Sequence, residues 1–387
     1  MNKNNNTIKV LFVTHVAGMA GANRSMFQLI KELKENYNVY PVVLGPPCDT
    51  DKITIKKKLH EINVEYLETR VVFFKQHKPT IKSFFRYLRY LYSQRFLYKK
   101  LKPYNFDIVH SNSGVIDIGA YLSKQLKSKH IWHLRDFGDK DYSLYPVGGK
   151  IYEKYTYRHA DAFIAISKAI QNHYQKIINH QKIHLIYNGI KEVENRFIAK
   201  HQNKQIEFFC AGIITSGKNQ MEIVKAADEL VNKRNVTKFH VTLVGLQDKV
   251  YVSSIIKTIT NNNLNDYFTI LKETDGIKEL ASTMDVGIMC SNTEAFGRVT
   301  VEYMLQNLIV IANDQGANPE IVEDGRNGYI YKAKSYTSLA DKMQKIIKSP
   351  EFPTNISKTG MISAKSRFLS IHNSNNIFQL YCSLFTH

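Results

Sequence analysis

Short apolar runs alternate with longer amphipathic stretches along most of the chain. In the first half, the runs at Ile8–His15, Val39–Leu44, Phe106–Ser111, Lys129–Leu134, Asp161–Ile166 and Lys182–Tyr187 have the length and apolar content of buried strands. Apolar positions three and four apart predict helices from the glycine-bearing loop at 18–23 to about Glu35, from Thr80 onward, and over Gly114–Leu126, while Ser167 is placed to cap another. Lys191–Gln205 is polar and charged and reads as a linker. The alternation then restarts, with strands at Glu207–Ile213, His240–Val244, Phe268–Leu271, Val286–Met289 and Ile309–Ala312. Helices are expected near Gln220–Lys233, Lys249–Thr260, Gly276–Thr283, Arg298–Gln306, Tyr336–Lys348 and Asn355–Phe368. Two consecutive series of this kind predict an α/β protein of two Rossmann-like βαβ domains, their parallel sheets facing across a cleft.

The stretch Ser291–Glu302 organises the second series. It leaves the buried strand Val286–Met289 and runs into a helix, so it is a loop at the C-terminal edge of a sheet, where ligands of open α/β sheets bind. The first N–H groups of the helix have no intrahelical partner and favour an anion. Glu294 lies in the loop and Glu302 about one turn inside the helix, with seven residues between them. A carboxylate does not bind phosphate, so this pair predicts contacts with hydroxyls at either end of a phosphate-bearing ligand, as sugars provide.

In the first series, Gly18-Met19-Ala20-Gly21 sits on the first strand–helix loop, where Gly18 and Gly21 let backbone approach a ligand. The G-x-G-x-x-G fingerprint is absent and no acid ends the next strand, which disfavours a nicotinamide enzyme. Phe73–Tyr104 carries nine lysines and arginines, ten aromatic residues and no acid. Within it Ile81, Phe85, Leu88, Tyr92 and Phe96 fall on one helical face flanked by Lys82, Arg86 and Arg89. That pattern suits an anionic membrane interface; the alternatives are a helix whose apolar face packs on its own domain, and a nucleic-acid contact.

Composition narrows the classes. The chain has 387 residues, 43% of them apolar, enough for two or three domains of roughly 150 residues. The 53 lysines and arginines against 34 acids give a formal charge of +19, compatible with nucleic acid, a membrane surface or anionic substrates. No run reaches the roughly 20 apolar residues that span a bilayer, and Ile8–Val13 is too short for a signal peptide, so an intracellular, cytoplasmic protein is expected, free or peripheral on the inner face of the cell membrane. Cys48, Cys210, Cys290 and Cys382 are far apart, and His130 and His133 belong to no zinc pattern, so no structural metal is expected. Asp49-Thr50-Asp51 and Asp139-Lys140-Asp141 both match D-x-D and are read as surface loops.

The segment Glu294–Glu302 resembles the E-x7-E motif of glycosyltransferase family 4, retaining enzymes of GT-B fold, and Ile309–Asp314 with Pro319–Gly328 resembles that family's downstream text. The resemblance implies an N-terminal acceptor-binding domain of residues 1–190 completed by a returning helix at 369–387, and a donor-binding domain of residues 191–368. It implies a metal-independent hexosyl- or glycosyltransferase without a cofactor, using a UDP or GDP sugar as donor. The acceptor would be a hydroxyl of a lipid-linked or polysaccharide molecule, in cell-surface polysaccharide synthesis. Glu302 would hold the ribose. Glu294, with backbone at Phe296 and Gly297, would hold the donor sugar. Val299 and Thr300 N–H groups and Lys218, on a loop after Gly212, would hold the diphosphate. His133 resembles the histidine lining the donor sugar, and Gly18 and Gly21 occupy the loop near acceptor and phosphates. The chain departs from the family at Ile213, where an arginine is frequent, and at Lys191, where Asn188-Gly189-Ile190 is followed by aspartate; Arg298 is a candidate substitute for the missing arginine.

Rival readings stay open on the sequence. Another GT-B reaction, a nucleotide-sugar epimerase or phosphorylase, would use the same motif. A non-catalytic partner subunit fits the two departures. A nucleic-acid-binding protein is motivated by charge alone, since no RNA- or DNA-binding motif is present, and no nucleic-acid partner is expected.

Overall fold

The computed structural model describes residues 7–48, 53–192, 205–272 and 276–385. The chain divides into two compact units, Met1–Lys191 with Leu369–His387, and Glu192–Phe368.

The first unit is built on seven strands: β1 Ile8–Val13, β2 Val39–Gly45, β3 Glu65–Glu68, β4 Ile108–Ser111, β5 Lys129–Leu134, β6 Ala162–Ala165 and β7 Ile183–Leu185. They form one sheet in the order β3-β2-β1-β4-β5-β6-β7, all pairs parallel. Leu11 of β1 stands opposite both Val42 and Val109, so the strand order reverses direction beside β1, the kind of switch point where such sheets bind ligands. Both faces are apolar: Phe12, Met26, Ile30 and Ile377 belong to one core, Leu11, Val109, Ile116 and Leu122 to the other. The helix Ser370–Ser383 closes this unit by packing on Gly21–Asn36, where Ser370 Oγ donates to Glu32 Oε1 at 2.6 Å and Phe378 stacks on Tyr37.

The second unit carries β8 Ile206–Ala211, β9 Phe239–Val244, β10 Phe268–Leu271, β11 Val286–Met289, β12 Ile309–Asn313 and β13 Tyr329–Tyr331, in the order β10-β9-β8-β11-β12-β13, again parallel. Its switch point lies between β8 and β11, and the helices over the sheet bury one continuous core that includes Phe208, Leu243, Ile288 and Met343.

Several elements escaped the sequence pattern. The edge strands β3 and β13 are four and three residues long, and β3 carries a glutamate at each end, as an edge open to water tolerates. The helices Ile55–Glu61 and Gly149–Tyr157 also lack an apolar stripe long enough to read. The helix expected from Thr80 through Phe96 is two: Ile81–Ser93, begun by a Thr80–Ser83 capping box, and Arg95–Leu101 after Gln94. Met221–Asp228 continues as a π turn over Glu229–Lys233. The Asp49-Thr50-Asp51 match and most of the expected linker lie outside the described residues.

Candidate functional site

In the second unit β11 ends at Met289 and the chain crosses the sheet edge before the helix Arg298–Leu305. Neighbouring loops brace this crossing on both sides. Asn292 donates from its backbone to Gly217 O at 3.0 Å and from its side chain to Ser216 O at 3.1 Å. On the other side Asn313 Nδ2 donates to Ser291 O at 2.8 Å, and Ala317 N to Glu294 O at 2.9 Å. Gly316 makes that second brace possible: its φ is +60°, and a Cβ there would stand 2.1 Å from Glu294 O.

Glu294 is held at three points, through its carbonyl oxygen and both carboxylate oxygens. Oε2 lies 3.1 Å from Lys218 Nζ, and Oε1 accepts from Gly297 N at 3.3 Å. Gly297 opens the helix at φ +85° with no side-chain cap. Thr300 Oγ1 donates to Asn318 Oδ1 at 3.3 Å, so it does not fold back over the helix start. With no capping side chain, the first-turn N–H groups, those of Val299 and Thr300 among them, are left for an outside acceptor. One turn on, Glu302 Oε1 stands 2.9 Å from Arg298 Nε. Each glutamate of the pair is thus matched by a cation, and an uncapped helix start lies between them.

Lys218 reaches this point from a turn after β8. Gly212 there has φ +140° and open space on its Cβ side. Ile213, in the position of the family's arginine, is half exposed, and Gln220 Nε2 pins the turn by donating to Ile213 O at 3.0 Å. No other cation than Lys218 is within ion-pair distance of Glu294 among the described residues.

The first unit gathers a second cluster at the C-terminal ends of β1, β4 and β5. Arg135, buried, donates to Asn112 Oδ1 and to Asn188 Oδ1, both at 2.5 Å, and its Nη2 lies 3.3 Å from His133 Nδ1. His110 Nε2 is 3.0 Å from the same His133 nitrogen, and Tyr381 Oη is 2.7 Å from His110 Nδ1. Burial first, and the Arg135 charge second, hold both imidazoles well below their ordinary value, so both are neutral at pH 7. A guanidinium only donates, so His133 Nδ1 accepts and its proton sits on Nε2. His110 then donates from Nε2 and accepts the Tyr381 hydroxyl proton at Nδ1. The chain of bonds ends at His133 Nε2, which is buried and has no partner. An orphaned buried donor at a sheet edge is a place for a ligand acceptor.

Gly18 and Gly21 lie on the loop above β1. Neither has a positive φ, and a Cβ on either would meet nothing within 4 Å. The loop's shape comes from Asn23, which donates to Val16 O and Gly18 O at 2.8 Å and accepts from Thr14 Oγ1 at 2.6 Å. Sequence reading missed Asn23, Arg135, Asn112 and His110; single polar residues after apolar runs were the only signal they gave. Of the candidates read from the sequence, the structure brings together Glu294, Lys218, Gly297, Arg298, Val299, Thr300 and Glu302 in the second unit, with Phe296 buried under the turn against Phe368. Asp139 and Asp141 do not converge: Asp141 accepts from Phe137 N at 2.9 Å and Asp139 lies 3.4 Å from His173.

Comparison with known proteins places each half. The family described as "Glycosyl transferases group 1" matches residues 191–361, and "Glycosyltransferase Family 4" matches residues 19–193. The N-acetyl-alpha-D-glucosaminyl L-malate synthase of Bacillus anthracis is 24% identical over 277 residues, 69% of this chain and 72% of that protein. The putative glycosyltransferase EpsD of Bacillus subtilis is 24% identical over 321 residues, 76% of this chain and 81% of its own. The crystal structure of Anabaena HepE in complex with UDP aligns with a TM-score of 0.81 at 19% identity, covering 97% of this chain and 100% of that one.

Proposed function

This chain belongs to glycosyltransferase family 4, has the GT-B fold and is a glycosyltransferase, and from that premise we propose that it moves a sugar from a UDP or GDP sugar to a hydroxyl of a lipid-linked or polysaccharide acceptor, with retention of anomeric configuration. The observation that carries the reading is the Glu294–Glu302 pair, each acid beside a cation, with the uncapped helix start between them. The diphosphate of the donor takes the Val299 and Thr300 N–H groups and draws Lys218 from Glu294. Freed of its lysine, Glu294 accepts hydrogen bonds from donor-sugar hydroxyls, and Glu302 from the ribose. The presence of UDP in the HepE complex supports a uridine donor.

The acceptor oxygen bonds to the anomeric carbon on the face from which the diphosphate departs. The bond from that carbon to the phosphate oxygen breaks, the nucleoside diphosphate leaves with the bonding electron pair, and the acceptor proton passes to it. Lys218 and the helix start stabilise the developing charge, in an arrangement preorganised before the bond breaks. His133 Nε2–H, neutral and lacking a partner, suits a sugar oxygen. The scheme needs neither metal nor cofactor.

Incubation with UDP and GDP sugars in EDTA, followed by NMR, tests the reading. Diphosphate release is expected, with the first free sugar in the donor's own anomeric form. Interconversion of nucleotide sugars without release would identify an epimerase, and turnover only with inorganic phosphate a phosphorylase. Loss of turnover in EDTA, restored by Mg2+ or Mn2+, would contradict the metal-free scheme.

A further inference from the structure

The helix Ile81–Ser93 sits on the first unit with its less apolar side inward. Ser83, Tyr87 and Tyr90 are buried, the Tyr87 hydroxyl bonds to buried Asp117, and Tyr90 Oη donates to Arg70 O at 2.9 Å. The apolar stripe faces water: Ile81 is 78% exposed, Phe85 64% and Tyr92 65%, with Leu88 and Phe96 also exposed. A helix so seated has its outward face left over by folding. The mounting is firm, because Tyr152 Oη also donates to Asp117 at 3.0 Å and its ring meets Phe84 at 5.5 Å. Tyr152 belongs to the helix Gly149–Tyr157, which itself leaves Ile151 and Tyr155 exposed beside the cations Lys150, Lys154 and Arg158.

Charge accompanies the stripe. Lys82, Arg86 and Arg89 are exposed along it, make no ion pair among the described residues, and no acid occurs from Thr69 to Phe106. Arg86 and Arg89 also line, with Arg70, Gln76, Ser83 and Ser93, a pocket of about 590 Å3 against the inner side of the helix. That volume lies in the range of small-ligand sites, and its arginines match a phosphate. No helix among the described residues is long and apolar enough to cross a membrane, so contact with a bilayer would be from its surface.

We propose that this face docks on an anionic phospholipid bilayer, with Ile81, Phe85, Leu88 and Tyr92 entering the headgroup–acyl boundary and the Arg70, Arg86 and Arg89 pocket receiving a lipid phosphate. A bare basic patch would serve RNA equally. Aliphatic side chains standing in water beside arginines gain from a bilayer and nothing from a phosphate backbone. The face shares no residue with those proposed for transfer, so its test does not depend on them.

The test is co-sedimentation of the full chain with vesicles of phosphatidylglycerol and phosphatidylcholine, or of phosphatidylcholine alone, at low and high salt. Binding to the anionic vesicles at low salt, weakened by salt, is expected. Arg86→Gln with Arg89→Gln lowers affinity about thirtyfold, at roughly fivefold for each basic residue removed. Phe85→Ser with Ile81→Ser lowers it further at high salt, where the charge is screened. Each pair alters exposed side chains, and circular dichroism with UDP binding checks that folding and the nucleotide site persist. No vesicle binding at low salt, equal binding to neutral vesicles unaffected by the arginine pair, or tight binding to a short RNA in place of vesicles would each overturn the proposal. Inorganic phosphate at about 10 mM should displace vesicles more than sodium chloride of the same ionic strength does, since both phosphates compete for one pocket. Binding of inorganic phosphate that the arginine pair abolishes, with no vesicle binding at low salt, would identify a free-phosphate site and overturn the lipid assignment.

Discussion

Lys218 and Glu294 illustrate how two residues of opposite charge share one site without cancelling it. Their 3.1 Å pair is only partly buried, so the proposed exchange of Glu294 for a diphosphate would cost the lysine little. The buried histidines of the first unit behave differently. His130 stands within β5, its Nε2 3.0 Å from Ser111 Oγ, and burial lowers it to about 3. Its folded value is depressed below the unfolded one, so its contribution to stability is present above pH 6.5 and is lost as pH falls toward 3. Between about pH 6.5 and 5 the stability advantage of wild type over His130→Gln should shrink by about 2 kcal/mol, at about 1.4 kcal/mol per pH unit, in denaturant titrations. A constant gap would mean that folding does not depress the titration of His130. At this scale the sequence pointed to Glu294 and Glu302 by their spacing and to Lys218 by its place on a glycine-bearing loop after a strand. Arg135 and His110 stayed hidden because their partners, Asn112, Asn188 and Tyr381, come from distant parts of the chain and only folding joins them.

The loop and helix over 291–305 work as one element only because neighbouring loops hold it. Gly316 is the sharpest such point, since its left-handed backbone lets Glu294 O come close. Gly316→Ala should destabilise the second unit by about 1–3 kcal/mol and weaken UDP or GDP binding roughly tenfold, by tilting the Glu294 loop. Calorimetric titration checks this, and unchanged nucleotide affinity would detach the loop's shape from binding. Strands and long helices were legible from periodicity to within a few residues. The helical stretch from Thr80 was legible as amphipathic but not its break at Gln94, and periodicity marks an apolar face without saying what covers it. Its inward side is chosen by two tyrosine hydroxyls on Asp117, a pairing that no local pattern carries.

At the scale of the molecule, two parallel sheets with reversed strand order at β1 and β8 each carry their candidate groups at C-terminal strand edges. The doubled alternation of strand and helix made this architecture readable, and the motif made the second unit's edge readable in detail. Short edge strands escaped, since three or four residues have no period to detect. The central claim is that the Glu294–Glu302 edge holds a nucleoside diphosphate. Thermal unfolding of wild type and Glu302→Ala with UDP, GDP, ADP, NAD+ and a short RNA tests it most directly, because ligand at about 100 times its dissociation constant adds roughly 2.7 kcal/mol. The account predicts a rise with UDP or GDP that Glu302→Ala loses. A rise with RNA alone, or a nucleotide shift that survives the substitution, would contradict it.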